Sequence, residues 1–186
     1  MDRARWLRFS RRPIDVAQTE IRITSEGKEF RNELMATHGA DKLMQCYQCG
    51  TCTSDCPVAK RVPEFRPRNI ARLAIFGQKD RLLDGDLVWL CAGCYTCYER
   101  CPQKVHVSEI VSALRQLALR EGKIHPTIKS IVTTIPKHGY ISEIGEFENE
   151  MRGEDGLPPA PTPDTDEIKA IMKKTGILDC VGGDQK

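Results

Sequence analysis

Apolar residues along this chain recur mostly at intervals of three and four, a spacing that predicts helices rather than strands. From Ser25, the residues Phe30, Leu34 and Met35 fall on one side of a helix that should end near the "HGAD" punctuation at His38 to Asp41. The stretch "PRNIARLAIFG" has Pro67 suited to a first helical turn, Ile70, Leu73 and Ala74 at i, i+3 and i+4, and Gly77 where a C-cap belongs. In "LLDGDLVWLC", Asp84 or Asp86 can cap a turn or two that leads into Cys91. "VSEIVSALRQLALREG" aligns Val107, Ile110, Val111, Leu114, Leu117 and Ala118 on one face; Gly122 closes that helix and Pro126 should prevent its return.

The ends are patterned differently. Ile21 and Ile23 flank Arg22 in a short alternating patch, which suggests a brief strand or extended arm with nothing obvious to pair with. Residues 123–163 are weakly patterned, and the four prolines from Pro158 to Pro163 read as an extended linker. A last helix should begin after Asp164, with Glu167 three residues on as in a capping box, and carry Ile168, Ile171 and Met172 as far as Gly176. One such helix cannot bury itself, so it must dock on this chain or on a partner.

Between the helical segments lie two runs of one form. "CYQCGTCTSDCP" (Cys46 to Pro57) and "CAGCYTCYERCP" (Cys91 to Pro102) both read C-x2-C-x2-C-x3-C-P, the spacing of bacterial iron-sulfur ligation. Three thiolates at intervals of three wrap the chain around one cubane, since each must reach a different iron through a tight loop. The fourth points away, and the proline after it turns the backbone and offers no competing N–H. In two-cluster proteins with this spacing the fourth cysteine ligates the other cluster. On that rule Cys46, Cys49, Cys52 and Cys101 hold one [4Fe-4S] cluster, and Cys91, Cys94, Cys97 and Cys56 hold a second. Structural zinc is the bland alternative, but its signature is two C-x2-C pairs around a loop, without a third cysteine and a repeated C-P ending. A redox C-x-x-C fits less well, because all eight thiols suit cluster ligation and no His stands at a nucleophile's spacing.

Composition narrows the class. With 28 Lys+Arg against 26 Asp+Glu there is no electrostatic argument for a nucleic-acid binder. The ends carry opposite signs: Met1 to Arg12 holds five arginines and one acid, whereas from Tyr140 onward five basic residues face eleven acidic ones. No run of about 18 apolar residues exists, so no membrane insertion is expected. The N-terminus lacks the apolar core of a secretory signal, and Asp15 and Glu20 argue against a transit peptide, so the expected location is the cytoplasm. In that reducing compartment nine cysteines are expected as metal ligands rather than a disulfide framework. The ninth, Cys180, stands apart and reads as a buried or partner-facing free thiol. His106 reads as a solvated or capping residue and receives no role. Tyr47, Tyr95 and Tyr98 sit between ligands and are expected to screen the clusters from water.

The two runs, their 34-residue helical spacer (Pro57 to Leu90) and the amphipathic helix from Val107 resemble an alpha-helical ferredoxin domain. "PRNIARLAIFGQKDRLLDGDLVWLCAGCYTCYERCPQKV" is closely similar to the family of two-cluster iron-sulfur subunits of heterodisulfide reductases. That resemblance covers residues 28–122 strongly and extends to "DEIKAIMKKTGILD". It implies a mainly α fold: an N-terminal arm over 1–27, a helical ferredoxin domain over 28–125, and a C-terminal extension over 126–186 with a proline-rich linker and docking helix. It implies, too, an electron relay between two partner subunits of heterodisulfide reductase, one a flavin-containing iron-sulfur protein and the other catalytic. The catalytic partner would reduce the coenzyme M–coenzyme B heterodisulfide of methanogenesis, in a larger complex with a hydrogenase or formate dehydrogenase. Two absences fit a conduit: no adjacent cysteines of the catalytic type and no G-x-G-x-x-G for a dinucleotide. The alternatives are the iron-sulfur subunit of another flavin-linked dehydrogenase (succinate/fumarate or glycerol-3-phosphate type), a freely diffusing carrier, and a zinc scaffold.

Overall fold

A computed structural model describes residues 21–181, which form helices joined by turns and loops, with no strand among them. The expected mainly α class is therefore observed. The chain divides into two compact units, 1–121 and 122–186.

The first unit opens with α1 (Ser25–Ala36), whose N-cap Thr24 accepts a hydrogen bond from the Gly27 amide at 3.0 Å. Its buried side carries Phe30 and Leu34, while Met35 is only partly covered. A 3-10 turn (Leu43–Gln45) delivers Cys46, and the first run closes in α2 (Thr51–Ser54). Then α3 (Pro67–Ile75) starts on its proline and buries Ile70, Leu73 and Ala74. Gly77, just beyond it, has φ +65°, and a Cβ there would lie 2.0 Å from the Gly27 carbonyl oxygen. The end of α3 and the start of α1 thus touch backbone to backbone, which only glycine permits.

The expected turn before Cys91 is split in two. The short α4 (Lys79–Leu83) precedes a second 3-10 turn (Leu87–Leu90), and Asp86 occupies the capping position without making a side-chain cap bond. The second run closes in α5 (Thr96–Glu99), which touches α2, and leads into α6 (Val107–Arg120). α6 packs against α1, α3, α4 and the second 3-10 turn. Its buried Ile110 and Leu114 join Leu34, Phe65, Leu73 and Leu83 in one core, each such side chain contributing about 1.5–3 kcal/mol. The strand suggested around Ile21 and Ile23 is not formed: residues 21–24 are irregular, and the Arg22 carbonyl accepts from Gln78 Nε2 at 2.9 Å. The rest of the N-terminal arm, residues 1–20, lies outside the described residues.

In the second unit the weakly patterned stretch contains two unexpected helices, α7 (Pro126–His138) and α8 (Glu146–Glu154). Pro126, read as a stop, is the first residue of α7, and His125 Nδ1 caps that helix by accepting from the Thr127 amide at 3.2 Å. After the irregular prolines comes α9 (Thr165–Thr175), capped by Asp164, whose carboxylate accepts from the Asp166 and Glu167 amides at 2.9 and 3.0 Å. It docks on this chain: Met172 and Ile168 pack with Val132, Ile128 and Ile135 of α7, and Leu178 of α10 (Ile177–Val181) completes the cluster. The linker is strapped to α8, with Asn149 Oδ1 accepting from the Ala160 amide and Arg152 Nε donating to the Pro158 carbonyl, both at 2.9 Å.

Candidate iron-sulfur centre

The two cysteine runs have matching backbones. The second residue after the first cysteine is left-handed in both (Gln48 φ 64°, Gly93 φ 63°), and so is the fourth (Gly50 φ 86°, Tyr95 φ 58°). Alternating left- and right-handed residues turn successive amides inward, forming the kind of concave nest that accepts anions and iron-sulfur clusters. Gly50 adopts this conformation freely, whereas Tyr95 is strained in it.

None of the eight motif cysteines is joined in a disulfide, and they line two cavities. Cys46, Cys49, Cys52 and Cys101 border one, with Gln48, Gly50 and Arg68. Cys91, Cys94, Cys97 and Cys56 border the other, with Phe65, Ser108 and Val111. Each cavity thus takes three thiols from one run and the fourth from the other. Among the described residues no three His, Cys, Asp or Glu side chains converge closely enough to share a single ion, the arrangement a zinc tetrahedron requires. Four thiols spread around a cavity suit a cluster that offers four separate irons.

The surroundings of the sulfurs repeat as well. Cys49 Sγ lies 3.5 Å from Thr51 Oγ1, and Cys94 Sγ 3.4 Å from Thr96 Oγ1; these threonines hold both thiols below their ordinary range. Burial acts oppositely on the third cysteine of each run, pushing Cys52 up to about 11 and raising Cys97. The fourth cysteines accept backbone hydrogen bonds, Cys56 from the Ala59 amide at 3.5 Å and Cys101 from the Val105 amide at 3.3 Å. Gln48 Nε2 adds a bond to Cys46 Sγ at 3.2 Å.

Residues outside the motif hold the runs in place. Arg100 Nε donates to Asp55 at 2.8 Å, tying together the positions just before Cys101 and Cys56. Thr53 Oγ1 accepts from the Arg68 amide at 2.9 Å, fixing the first run to the start of α3. Arg115 of α6 donates to the carbonyls of Val88 (2.9 Å), Trp89 (3.3 Å) and Cys91 (2.7 Å), and its guanidinium lies 5.6 Å from the centre of the Trp89 ring. That clamp sets the second 3-10 turn and the first ligand of its run. Arg68, Ser108 and Arg115 went unnoticed in sequence because their parts depend on tertiary contacts; Arg115 is merely the polar edge of an amphipathic helix.

The three tyrosines are placed differently from one another. Tyr47 and Tyr95 are 58% and 55% exposed, yet Tyr95 borders the cavity of Cys56, Cys91, Cys94 and Cys97; Val107, which borders both cavities, adds apolar cover. Tyr98 stacks on His106 with ring centres 3.6 Å apart. His106 stands at the N-cap of α6 but makes no side-chain cap bond, and lies 3.4 Å from Glu109. The side chain of Cys180 is outside the described residues.

Residues 42–105 match the 4Fe-4S dicluster domain, and the chain is accordingly a helical electron-transfer protein carrying two [4Fe-4S] clusters. It is 36% identical over 179 residues to a subunit of the H(2):CoB-CoM heterodisulfide,ferredoxin reductase of Methanothermobacter thermautotrophicus, covering 91% of this chain and 95% of that one. It is 34% identical to an iron-sulfur subunit of the CoB–CoM heterodisulfide reductase of Methanocaldococcus jannaschii (83% and 89% covered). With the CoB–CoM heterodisulfide reductase iron-sulfur subunit of Methanopyrus kandleri the identity is 38%, over 73% and 70% of the two chains. The chain belongs to this family of heterodisulfide reductase iron-sulfur subunits, and with it to a multisubunit oxidoreductase. No described helix is long and apolar enough to cross a membrane.

Proposed function

We propose that this chain relays electrons from a flavin-containing subunit to a catalytic subunit that reduces the coenzyme M–coenzyme B heterodisulfide, without catalysing that reduction itself. One cluster is held by Cys46, Cys49, Cys52 and Cys101, the other by Cys91, Cys94, Cys97 and Cys56. The observation that carries this reading is the grouping of eight cysteines outside any disulfide, four to a cavity and three plus one by run. The clusters supply one-electron transfer. The chain's own residues hold them on four thiolates each, leave no motif cysteine for substrate, and keep the buried side of each site apolar through Val107 and Phe65. A substrate disulfide needs an open iron or a reactive dithiol, and four-thiolate sites provide neither.

Residues 28–125 act as the electron-carrying domain, and the segments 1–27 and 126–186 as assembly devices in a cytoplasmic complex with those two partners and a hydrogenase or formate dehydrogenase. Ile141 and Phe147 in the second unit support this, being 69% and 68% exposed, as an apolar surface for a partner would be.

The test is anaerobic turnover of the heterodisulfide by the purified chain with reduced viologen. None is expected alone, and turnover should return with the catalytic partner; sustained turnover without a partner would place the active site here. Cys56→Ser should damage the cluster of Cys91, Cys94 and Cys97. Damage confined to the cluster of Cys46, Cys49 and Cys52 would make the crossed ligation wrong.

A further inference from the structure

α3 and α6 are the next helices after the two cysteine runs, and the second residue of each borders a cavity: Arg68 after the first run, Ser108 after the second. Ser108 is 5% exposed, and its Oγ has no hydrogen-bond partner among the described residues. A hydroxyl shut away from water without an acceptor is destabilising, and alanine would fill the position at no such cost. What lies in front of it is the cavity of Cys56, Cys91, Cys94 and Cys97.

Arg68 has a different situation. Its guanidinium borders the cavity of Cys46, Cys49, Cys52 and Cys101, with Nη1 3.6 Å from where a Cβ on Gly50 would sit. The backbone is pinned by the amide bond to Thr53, while the side chain is exposed and has no acidic partner among the described residues.

We propose that these two residues tune the clusters separately. Ser108 donates its hydroxyl hydrogen to a sulfur of the cluster bounded by Cys56, Cys91, Cys94 and Cys97, and Arg68 sets a positive charge beside the other cluster. Reduction adds one negative charge to a cluster, so each residue raises the potential of its own cluster. The inference rests on the crossed ligation proposed above. The two influences differ in kind: the buried hydroxyl is insensitive to salt, whereas the exposed guanidinium is screened by it.

The experiment is an anaerobic redox titration of the cluster-loaded chain followed by EPR, at low and high salt, with Cys56→Ser and Cys101→Ser assigning each signal. Ser108→Ala should lower the reduced-to-oxidised ratio of the second cluster about tenfold at fixed potential, or 59 mV for one electron, equally at both salts. Ser108→Thr, which keeps the hydroxyl, should restore it. Arg68→Gln should lower only the first cluster, and the shift should shrink at high salt. In the unaltered protein, exchange into heavy water should add a deuteron coupling to the second cluster that Ser108→Ala removes. Unmoved potentials, or Ser108→Ala shifting both clusters alike, would overturn the proposal. So would the absence of an exchangeable proton at the second cluster in the unaltered chain, which needs no variant to fold. If Cys56→Ser instead spares the signal of the second run, the ligation itself is wrong.

Discussion

The first and second cysteine runs share spacing, left-handed positions and short closing helices, yet they are secured by different means. Each run sets one glycine and one other residue in the left-handed region, Gly50 with Gln48 in the first and Gly93 with Tyr95 in the second, but the first run is held to the start of α3 by a single amide bond to Thr53. The second lies under a clamp, with Arg115 gripping three carbonyls of the turn and first ligand. A repeated ligand pattern thus does not imply equivalent sites. The environment around each run decides how firmly its cluster is kept and at what potential.

The sharpest way to test that contrast is to remove a crossed ligand. Cys101→Ser should abolish the cluster of the first run and spare that of the second, read as loss of one EPR signal with iron content falling by about half. Next comes the clamp. Arg115→Ala breaks three hydrogen bonds from a charged donor and should cost about 2–3 kcal/mol, expressed as faster iron loss to a chelator from the second run alone. Equal loss from both runs would show that Arg115 supports the core and not the loop.

Substituting the left-handed residue before each closing helix gives smaller, opposite effects. Tyr95→Gly relieves a left-handed non-glycine residue and should stabilise the holoprotein by about 1 kcal/mol, while Gly50→Ala should cost a similar amount, both read from the thermal midpoint. A loss with Tyr95→Gly would mean that the ring's edge contact with Tyr98 outweighs the backbone strain. Smallest of all is Asp55→Asn. Its pairing with Arg100 is largely exposed and should be worth less than about 1 kcal/mol, fading with salt and touching both clusters alike.

Much of the first unit was legible because its helices follow simple rules. Pro67 and Gly77 bracket α3, and the apolar stripe from Val107 defines α6. The cysteine spacing exposed the candidate ligands in the same way, since cluster chemistry leaves little latitude in ligand type or interval. The second unit was harder to read. Pro126 serves a helix start as well as it serves a stop, and α8 buries none of its residues, so it has no stripe to find. Ser108 and Arg115 are ordinary polar residues until folding brings one to a cavity and the other to three carbonyls of a distant turn. The docking of α9 was expected in kind, but the helix that receives it, α7, was hidden with the rest of that stretch.

The three-plus-one grouping has a consequence for how the chain is made. Cys101 borders the first run's cavity, so a cubane seated there has its fourth protein ligand only after nearly fifty further residues have left the ribosome. At about 5–20 residues per second that is a delay of several seconds, during which Cys46, Cys49 and Cys52 wait as bare thiols. On the proposed crossed ligation, full loading of either site follows translation of both runs. A fragment ending between the two runs would, on that ligation, have three ligands for one cofactor and one for the other, and so a complete set for neither.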